Sequence, residues 1–182
     1  MEGLAEVQLT GAVALIARTS KATSESLIQS YTLALVLITP LMILLIGSLR
    51  AGLVSMVPNL VPILATLGLL VVLGIQLDLF TMLGACIAIG LAVDDSIHFI
   101  HSFRRNFEDT GDVERAIETT MESTGRALLF TSVVLAAGFV VLALSSMSNL
   151  GYLGALTAFS IAVAFILDVT VTPALLVLTH RK

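Results

Sequence analysis

The chain has 182 residues, of which 57% are hydrophobic and only 12% are charged, and its mean hydropathy is +1.04. Its formal net charge at pH 7 is a modest −4. Because soluble domains carry about 25% charged residues, this composition excludes a soluble globular protein and predicts an integral membrane protein.

Five long apolar stretches predict five membrane spans. With no water in the bilayer core, only helices or a closed barrel satisfy their backbone groups, and these stretches are too long and too unalternating for barrel strands. We therefore expect an all-α, polytopic helical bundle. At about 20 residues for each helix, a transmembrane domain of residues 29–179 has its spans at 29–49, 53–74, 78–103, 127–147 and 150–178.

The segment before the first span, residues 1–28, fits neither a signal peptide nor a spanning helix. It has no basic start followed by an apolar core, and it includes a polar stretch from Arg18 to Ser26. We expect it to be the remnant of an extracytoplasmic domain, which makes the chain a fragment of a longer protein. In the second span, Pro58 and Pro62 predict a kink whose freed carbonyls bond to other groups.

The third span carries two adjacent carboxylates, Asp94 and Asp95. A carboxylate at the centre of a membrane helix costs about 2.5 to 3.5 kcal/mol, so the pair indicates a functional site; a structural hydrogen-bond clamp is the alternative. At helical spacing Asp94 shares a face with His98 and His101, whereas Asp95 points about 100° away. Two like charges this close titrate as a coupled unit, which suits proton uptake and release.

Further residues in the spans could support this pair. Gly90 lies one turn before Asp94 and Gly84 three turns before Asp95, and small residues let another helix pack closely. Asp168 in the fifth span is a candidate for relay support or for a structural hydrogen bond. For His98 and His101, the alternative to a proton relay is a role as interfacial polar residues.

The connection 104–126 is expected to be a soluble loop that contains a short amphipathic helix on the cytoplasmic surface. This helix would shield the end of the bundle, and partner docking is the alternative. Its apolar face is formed at helical spacing by Val113, Ala116, Ile117, Thr120 and Met121.

The distribution of basic residues predicts the orientation. In a five-span topology one side carries only Arg18 and Lys21, so the start of the chain lies outside and its end is cytoplasmic. The cytoplasmic side then holds Arg50, Arg104, Arg105, Arg115, Arg126, Arg181 and Lys182.

Several other functions find no support in the sequence. No Gly-rich phosphate loop is present, so nucleotide-driven transport is not expected. A metal site of Asp94, His98 and His101 lacks a fourth ligand, and the lone Cys86 supports no disulfide. An intramembrane aspartyl protease using Asp94 and Asp168 would need a spacing that these residues do not have. We therefore expect neither an enzyme nor a cofactor.

Four motifs together resemble the resistance-nodulation-division (RND) transporter superfamily. The resemblance covers about residues 7 to 179 and is closest to the lipid and hydrophobe exporter (MMPL-like) branch, which is related to sterol-sensing-domain proteins. It implies that the chain comprises the last five spans of a transporter half, and its end after the fifth span resembles the C-terminal half. The motifs are Gly90 to His98, Val57 to Pro62, Gly125 to Leu128 and Thr172 to Leu176.

The resemblance also implies a function. It assigns Asp94 and Asp95 to a proton relay in an exporter of hydrophobic or lipid-like substrates driven by the proton motive force, and the possible relay support from His98, His101 and Asp168 rests on their positions alone. Such a protein would lie in the inner (plasma) membrane with a sister half or a second copy as partner, without nucleic acid. The alternative is a sterol-sensing-like module that binds lipid or a partner protein without moving protons.

Overall fold

The computed structural model describes residues 12–75 and 78–180. Within these ranges the chain is helical without a strand, which confirms the predicted all-α class. Five helical segments are long and apolar enough to cross a membrane, so this is a multi-pass membrane protein: Ile28–Ile46, Gly52–Leu73, Leu79–Thr110, Val113–Ala143 and Ser148–Leu178.

The helices follow one another with short breaks. Their bounds are α1 Ala12–Ile46, α2 Leu49–Val54, α3 Val57–Leu73, α4 Leu79–Thr110, α5 Val113–Thr120, a π-helical turn Met121–Gly125, α6 Arg126–Ala143 and α7 Ser148–His180.

Helix α1 begins well before the first predicted span. Residues 12–28 form its first part, while residues 1–11 lie outside the described residues, so the assignment of 1–28 to an extracytoplasmic domain stays a prediction. The helix ends at Ile46 rather than at 49, because Gly47 adopts φ +73°. This left-handed conformation is accessible to glycine and stops a helix.

The second span is broken rather than kinked. Instead of one helix over 53–74, α2 ends at Val54 and α3 begins at Val57. Pro58 lies in the first turn of α3, where its missing N–H removes no helical hydrogen bond. The break therefore leaves backbone groups near Ser55 without helical hydrogen bonds, and side chains can bond to them.

Helix α4 is longer than predicted and replaces much of the expected loop. Its N-cap Asp78 forms a reciprocal capping box with Thr81, and the helix continues to Thr110 rather than ending at 103. No glycine or proline lies between Gly90 and Gly111, which ends α4 with φ +66°. The connection 104–126 is thus almost entirely helical, since Gly111 and Asp112 alone separate α4 from α5, and its placement on the cytoplasmic surface stays a prediction.

The predicted amphipathic helix is present as α5. Its residue Ala116 is buried against Phe99, Phe103, Leu128 and Leu176, which form a cluster at one end of the bundle. Val113, Ile117 and Met121 pack around this cluster, as the helical spacing predicted.

Helix α4 forms the centre of the bundle. Half of its apolar span (50%) is buried, against 6% for the span in α1. It packs against α7, α5, α3 and α1, whereas α6 packs mainly against α7. Helix α4 is therefore surrounded by several neighbouring helices, and its inward-facing residues lie in the core of the bundle.

Candidate functional site

The acidic pair lies at the middle of α4, the most central helix. As the helical spacing predicted, its two carboxylates differ in environment: Asp94 is exposed and Asp95 is half-buried. The flanking Ala92, Val93 and Ser96 are buried. The helix thus presents both carboxylates along one edge while its other face packs into the bundle.

This edge borders a groove of about 490 Å³ between α4 and the start of α6. Asp94, Asp95 and His98 line one wall, together with Leu91. The opposite wall carries three hydroxyl groups among apolar side chains, and it consists of Ser123, Thr124, Ala127, Leu128, Thr131 and Leu135. The groove therefore offers carboxylates, an imidazole and hydroxyl groups to a proton, water or polar headgroup.

Asp94 and His98 lie side by side, one turn apart on α4. His98 Nε2 lies 3.6 Å from Asp94 Oδ1, which is slightly longer than a direct hydrogen bond. Both side chains are about two-thirds exposed, at 65% for His98 and 66% for Asp94. His101 is exposed one turn further along α4. In the described part of the chain, no three His, Cys, Asp or Glu side chains are placed to hold a metal ion.

Asp168 lies in a different place, inside the bundle. It is 1% exposed, and its Oδ1 is 2.6 Å from Ser96 Oγ and 3.2 Å from Thr172 Oγ1. It makes no hydrogen bond or salt bridge with Asp94 or Asp95. A weaker electrostatic interaction links it to Asp95. The predicted polar contact of Asp168 is thus with hydroxyl groups rather than with the acidic pair.

Sequence reasoning missed two residues, Ser96 and Asn59, that form a buried polar cluster with Asp168. Ser96 Oγ also lies 3.0 Å from Asn59 Oδ1, and Asn59 Nδ2 lies 3.4 Å from the carbonyl oxygen of Ser55 at the break between α2 and α3. Asn59 is 1% exposed. The available signal was a polar side chain between two prolines in an otherwise apolar span.

The two glycines expected to permit helix packing behave differently. A Cβ at Gly84 would lie 2.7 Å from Thr157 Oγ1, so α7 approaches α4 closely there. A Cβ at Gly90 would meet no heavy atom within 4 Å. Within the described residues no other helix packs at Gly90, so close packing there stays a prediction.

Comparison with known proteins identifies relatives of this bundle. The family model described as "MMPL family" matches residues 2–182. Membrane protein MJ1562 of Methanocaldococcus jannaschii is 30% identical over 155 residues, which are 84% of this chain and 40% of that protein. The solvent-resistant pump membrane transporter SrpB of Pseudomonas putida is 34% identical over 124 residues, 68% of this chain and 12% of SrpB.

A further relative is the hopanoid transporter HpnN of Rhodopseudomonas palustris. It is 31% identical over 105 residues, which are 58% of this chain and 12% of HpnN. The chain thus spans less than half the length of each of these three relatives. The family model, in contrast, matches nearly the whole chain, including the acidic pair on α4. The chain therefore belongs to the MMPL family of RND-type membrane proteins.

Proposed function

We propose that this chain is the transmembrane half of an exporter that uses the proton motive force to move hydrophobic or lipid-like substrates out of the cell. The observation that carries the proposal is the position of Asp94 and Asp95, which lie at mid-helix in a membrane span and border a groove. A carboxylate at that depth costs about 2.5 to 3.5 kcal/mol, and a proton-binding role explains why it is tolerated.

The proposed relay runs along the exposed edge of α4. Asp94 and Asp95 take up a proton from the extracytoplasmic side, and His98 and His101 pass it toward the cytoplasm. The 3.6 Å separation of His98 Nε2 and Asp94 Oδ1 supports direct transfer, because a small side-chain rotation brings the two atoms into hydrogen-bonding distance. The predicted orientation, with the basic ends of α4 and α7 in the cytoplasm, gives this path its direction.

Proton binding would couple to movement through the groove. Helices α4 and α6 both pack on α7, and the groove separates their facing walls. A proton on the acidic pair removes negative charge from one wall of the groove and weakens its hold on water and cations. The two walls then come together, which rocks α6 and α7 against α4.

The proposed partner is a sister half or a second copy of this chain. Asp94 is 66% exposed and Gly90 has open space beside it. In a bilayer that face would expose a carboxylate to hydrocarbon unless another protein surface covers it. The proposed cargo class is supported by the names of relatives, a solvent-resistant pump and a hopanoid transporter.

The test is proton-driven transport by the complete protein in lipid vesicles. Asp94→Asn and Asp95→Asn keep side-chain volume but remove the titrating group, so each is expected to lower efflux driven by a pH gradient at least tenfold. Asp109→Asn is the matched control, because Asp109 is an exposed acid near the end of the same helix. Wild-type efflux in both folded Asn variants would contradict the relay.

The lipid- or partner-binding module remains the competing function. Such a module requires a cleft but no change in the protonation of Asp94 or Asp95. A measurement of proton uptake therefore distinguishes the two functions. The proposed exporter takes up protons as the external pH falls, and this uptake decreases in Asp94→Asn and Asp95→Asn. A binding module shows the same uptake in the wild type and both variants.

A further inference from the structure

We propose that Asp168 is a second proton-binding carboxyl, whose proton decides whether the Ser96 hydroxyl donates its hydrogen to Asn59 on α3 or to Asp168 on α7. The inference deepens the proposed function, on which it rests for its role in transport. It concerns a cluster inside the bundle, formed by Asp168, Ser96 and Asn59, rather than the groove that contains Asp94 and Asp95.

The Ser96 hydroxyl has too few hydrogens for both of its short contacts if Asp168 is ionised. Ser96 Oγ lies 2.6 Å from Asp168 Oδ1 and 3.0 Å from Asn59 Oδ1, both within hydrogen-bonding distance. A serine hydroxyl has one hydrogen, so it donates to one oxygen at a time. If Asp168 were ionised, both neighbours would be acceptors, and one of the two short contacts would lack a hydrogen.

The orientation of Asn59 is fixed from its other end. Asn59 Nδ2 lies 3.4 Å from the carbonyl oxygen of Ser55, which can only accept a hydrogen bond. A flipped amide would set two acceptor oxygens against each other, so Oδ1 must face Ser96. The Ser96 hydrogen therefore belongs to Asn59.

The missing hydrogen then comes from Asp168 itself. A protonated Asp168 donates to Ser96, Ser96 donates to Asn59, and Asn59 donates to Ser55. Every contact in this chain has one donor and one acceptor. The chain joins α7, α4 and the break before α3, and its three side chains are all at most 1% exposed.

The surroundings of Asp168 agree with a neutral carboxyl. No Lys, Arg or His among the described residues pairs with it, and an unpaired buried carboxylate is strongly unfavourable. The charged group that acts on it from α4 is Asp95, also an acid. Helix α3 contains no charged residue, α6 has only Arg126 at its first position, and α2 has only Arg50.

Loss of the proton to solvent would rearrange the cluster. The Ser96 hydrogen turns to the Asp168 carboxylate, joined there by the Thr172 hydroxyl at 3.2 Å. Asn59 Oδ1 is then left without a donor inside the bundle, which is costly for a buried polar atom. The start of α3 thereby loses its hydrogen bond to α4, so one proton on α7 controls a contact of α3.

Infrared difference spectroscopy between acidic and alkaline pH tests this inference on the complete protein in lipid vesicles. We expect the carbonyl stretch of a protonated carboxylic acid that Asp168→Asn removes. Asparagine can donate to Ser96 as the protonated acid does, so this variant is expected to fold. Ser96→Ala keeps the band but shifts its frequency, because the carboxyl loses its acceptor. Ser102→Ala, on the same helix, leaves the band unchanged.

Two results would overturn the inference: a spectrum that Asp168→Asn does not alter, or a band whose frequency is the same in Ser96→Ala. Neither depends on transport, so the inference and the proposed relay can fail separately. The band assigned to Asp168 persists in Asp94→Asn and Asp95→Asn if the sites are distinct. If those two variants lost efflux and no carbonyl band of Asp168 were found, the proposed relay would be supported and the second proton-binding site would be ruled out.

Discussion

Ser96 Oγ and Asp168 Oδ1 lie 2.6 Å apart where α4 crosses α7, and both residues are at most 1% exposed. This contact places a polar link inside the interface of the two helices. In such surroundings a hydrogen bond adds little net stability when it is made, but a buried group that loses its partner incurs the full loss of solvation. The stability of the bundle should therefore depend on Ser96.

Ser96→Ala is expected to lower the free energy of unfolding by about 1 to 3 kcal/mol, because Asp168 and Asn59 both lose a partner. Thermal unfolding in detergent measures the change. Ser102→Ala, a partly buried serine on the same helix, is expected to stay within about 0.5 kcal/mol of the wild type. Equal losses in the two variants would show that the buried cluster contributes nothing specific.

The sequence predicts the number of long apolar helices well and the buried cluster poorly, for a physical reason. A span is a local property, since about 20 apolar residues suffice to define it. The partners of Asp168 are not local: Ser96 is 72 residues away, and Asn59 is a further 37 from Ser96. Which polar residues meet depends on how the helices pack, and helical spacing within one span does not contain that information.

Helical spacing likewise did not predict what lies beside Gly90. A small residue on a membrane helix permits close packing, but it does not say whether a neighbour is there. Gly84 faces α7 and Gly90 faces open space, although they lie on the same helix. Likewise, the amphipathic pattern predicted α5 correctly, whereas the polar composition around Arg104 concealed the continuation of α4 to Thr110.

Glycine at position 154 is expected to be essential for the packing of α6 against α7. A Cβ there would lie 2.5 Å from the carbonyl oxygen of Phe139 and 2.8 Å from the carbonyl carbon of Leu142, both backbone atoms that cannot rotate away. Gly154→Ala should destabilise the protein by about 1 to 3 kcal/mol through overpacking.

The control for that substitution is Gly138→Ala on α6. A Cβ at Gly138 meets no heavy atom within 4 Å, so alanine adds helix propensity without a clash. We expect its stability to equal the wild type or to exceed it by up to about 1 kcal/mol. Denaturation of both variants in the same detergent gives the comparison, and a Gly154→Ala protein as stable as Gly138→Ala would contradict the close approach.

Arg104 is expected to stabilise the end of α1. Its Nη1 donates to the carbonyl oxygen of Leu45 at 2.7 Å, in the last turn of a helix whose final carbonyls have no partner within the helix. Arg104→Gln should lower the free energy of unfolding by about 0.5 to 1.5 kcal/mol. Arg105→Gln provides the comparison, because Arg105 makes no hydrogen bond or ion pair with the described residues. A similar change in both would assign the effect to charge alone.

Asp112 is expected to control the local stability of α5 rather than that of the whole bundle. Its Oδ1 accepts hydrogen bonds from the backbone N–H groups of Glu114 at 2.9 Å and Arg115 at 3.4 Å, which makes it the N-cap of this helix. Asp112→Ala should cost about 0.5 to 2 kcal/mol. Because α5 is short and covers one end of the bundle, the loss should appear as local opening.

Hydrogen exchange of the α5 amides measures this opening directly. A change of one or two kcal/mol corresponds to exchange about 5- to 30-fold faster in α5, while the amides of α4 and α7 should keep their protection. Asp109→Ala, an exposed acid just before the cap, should leave the exchange of α5 unchanged. If the amides of α4 lost protection together with those of α5, the cap would be stabilising the bundle as a whole, and α5 would not open as a separate unit.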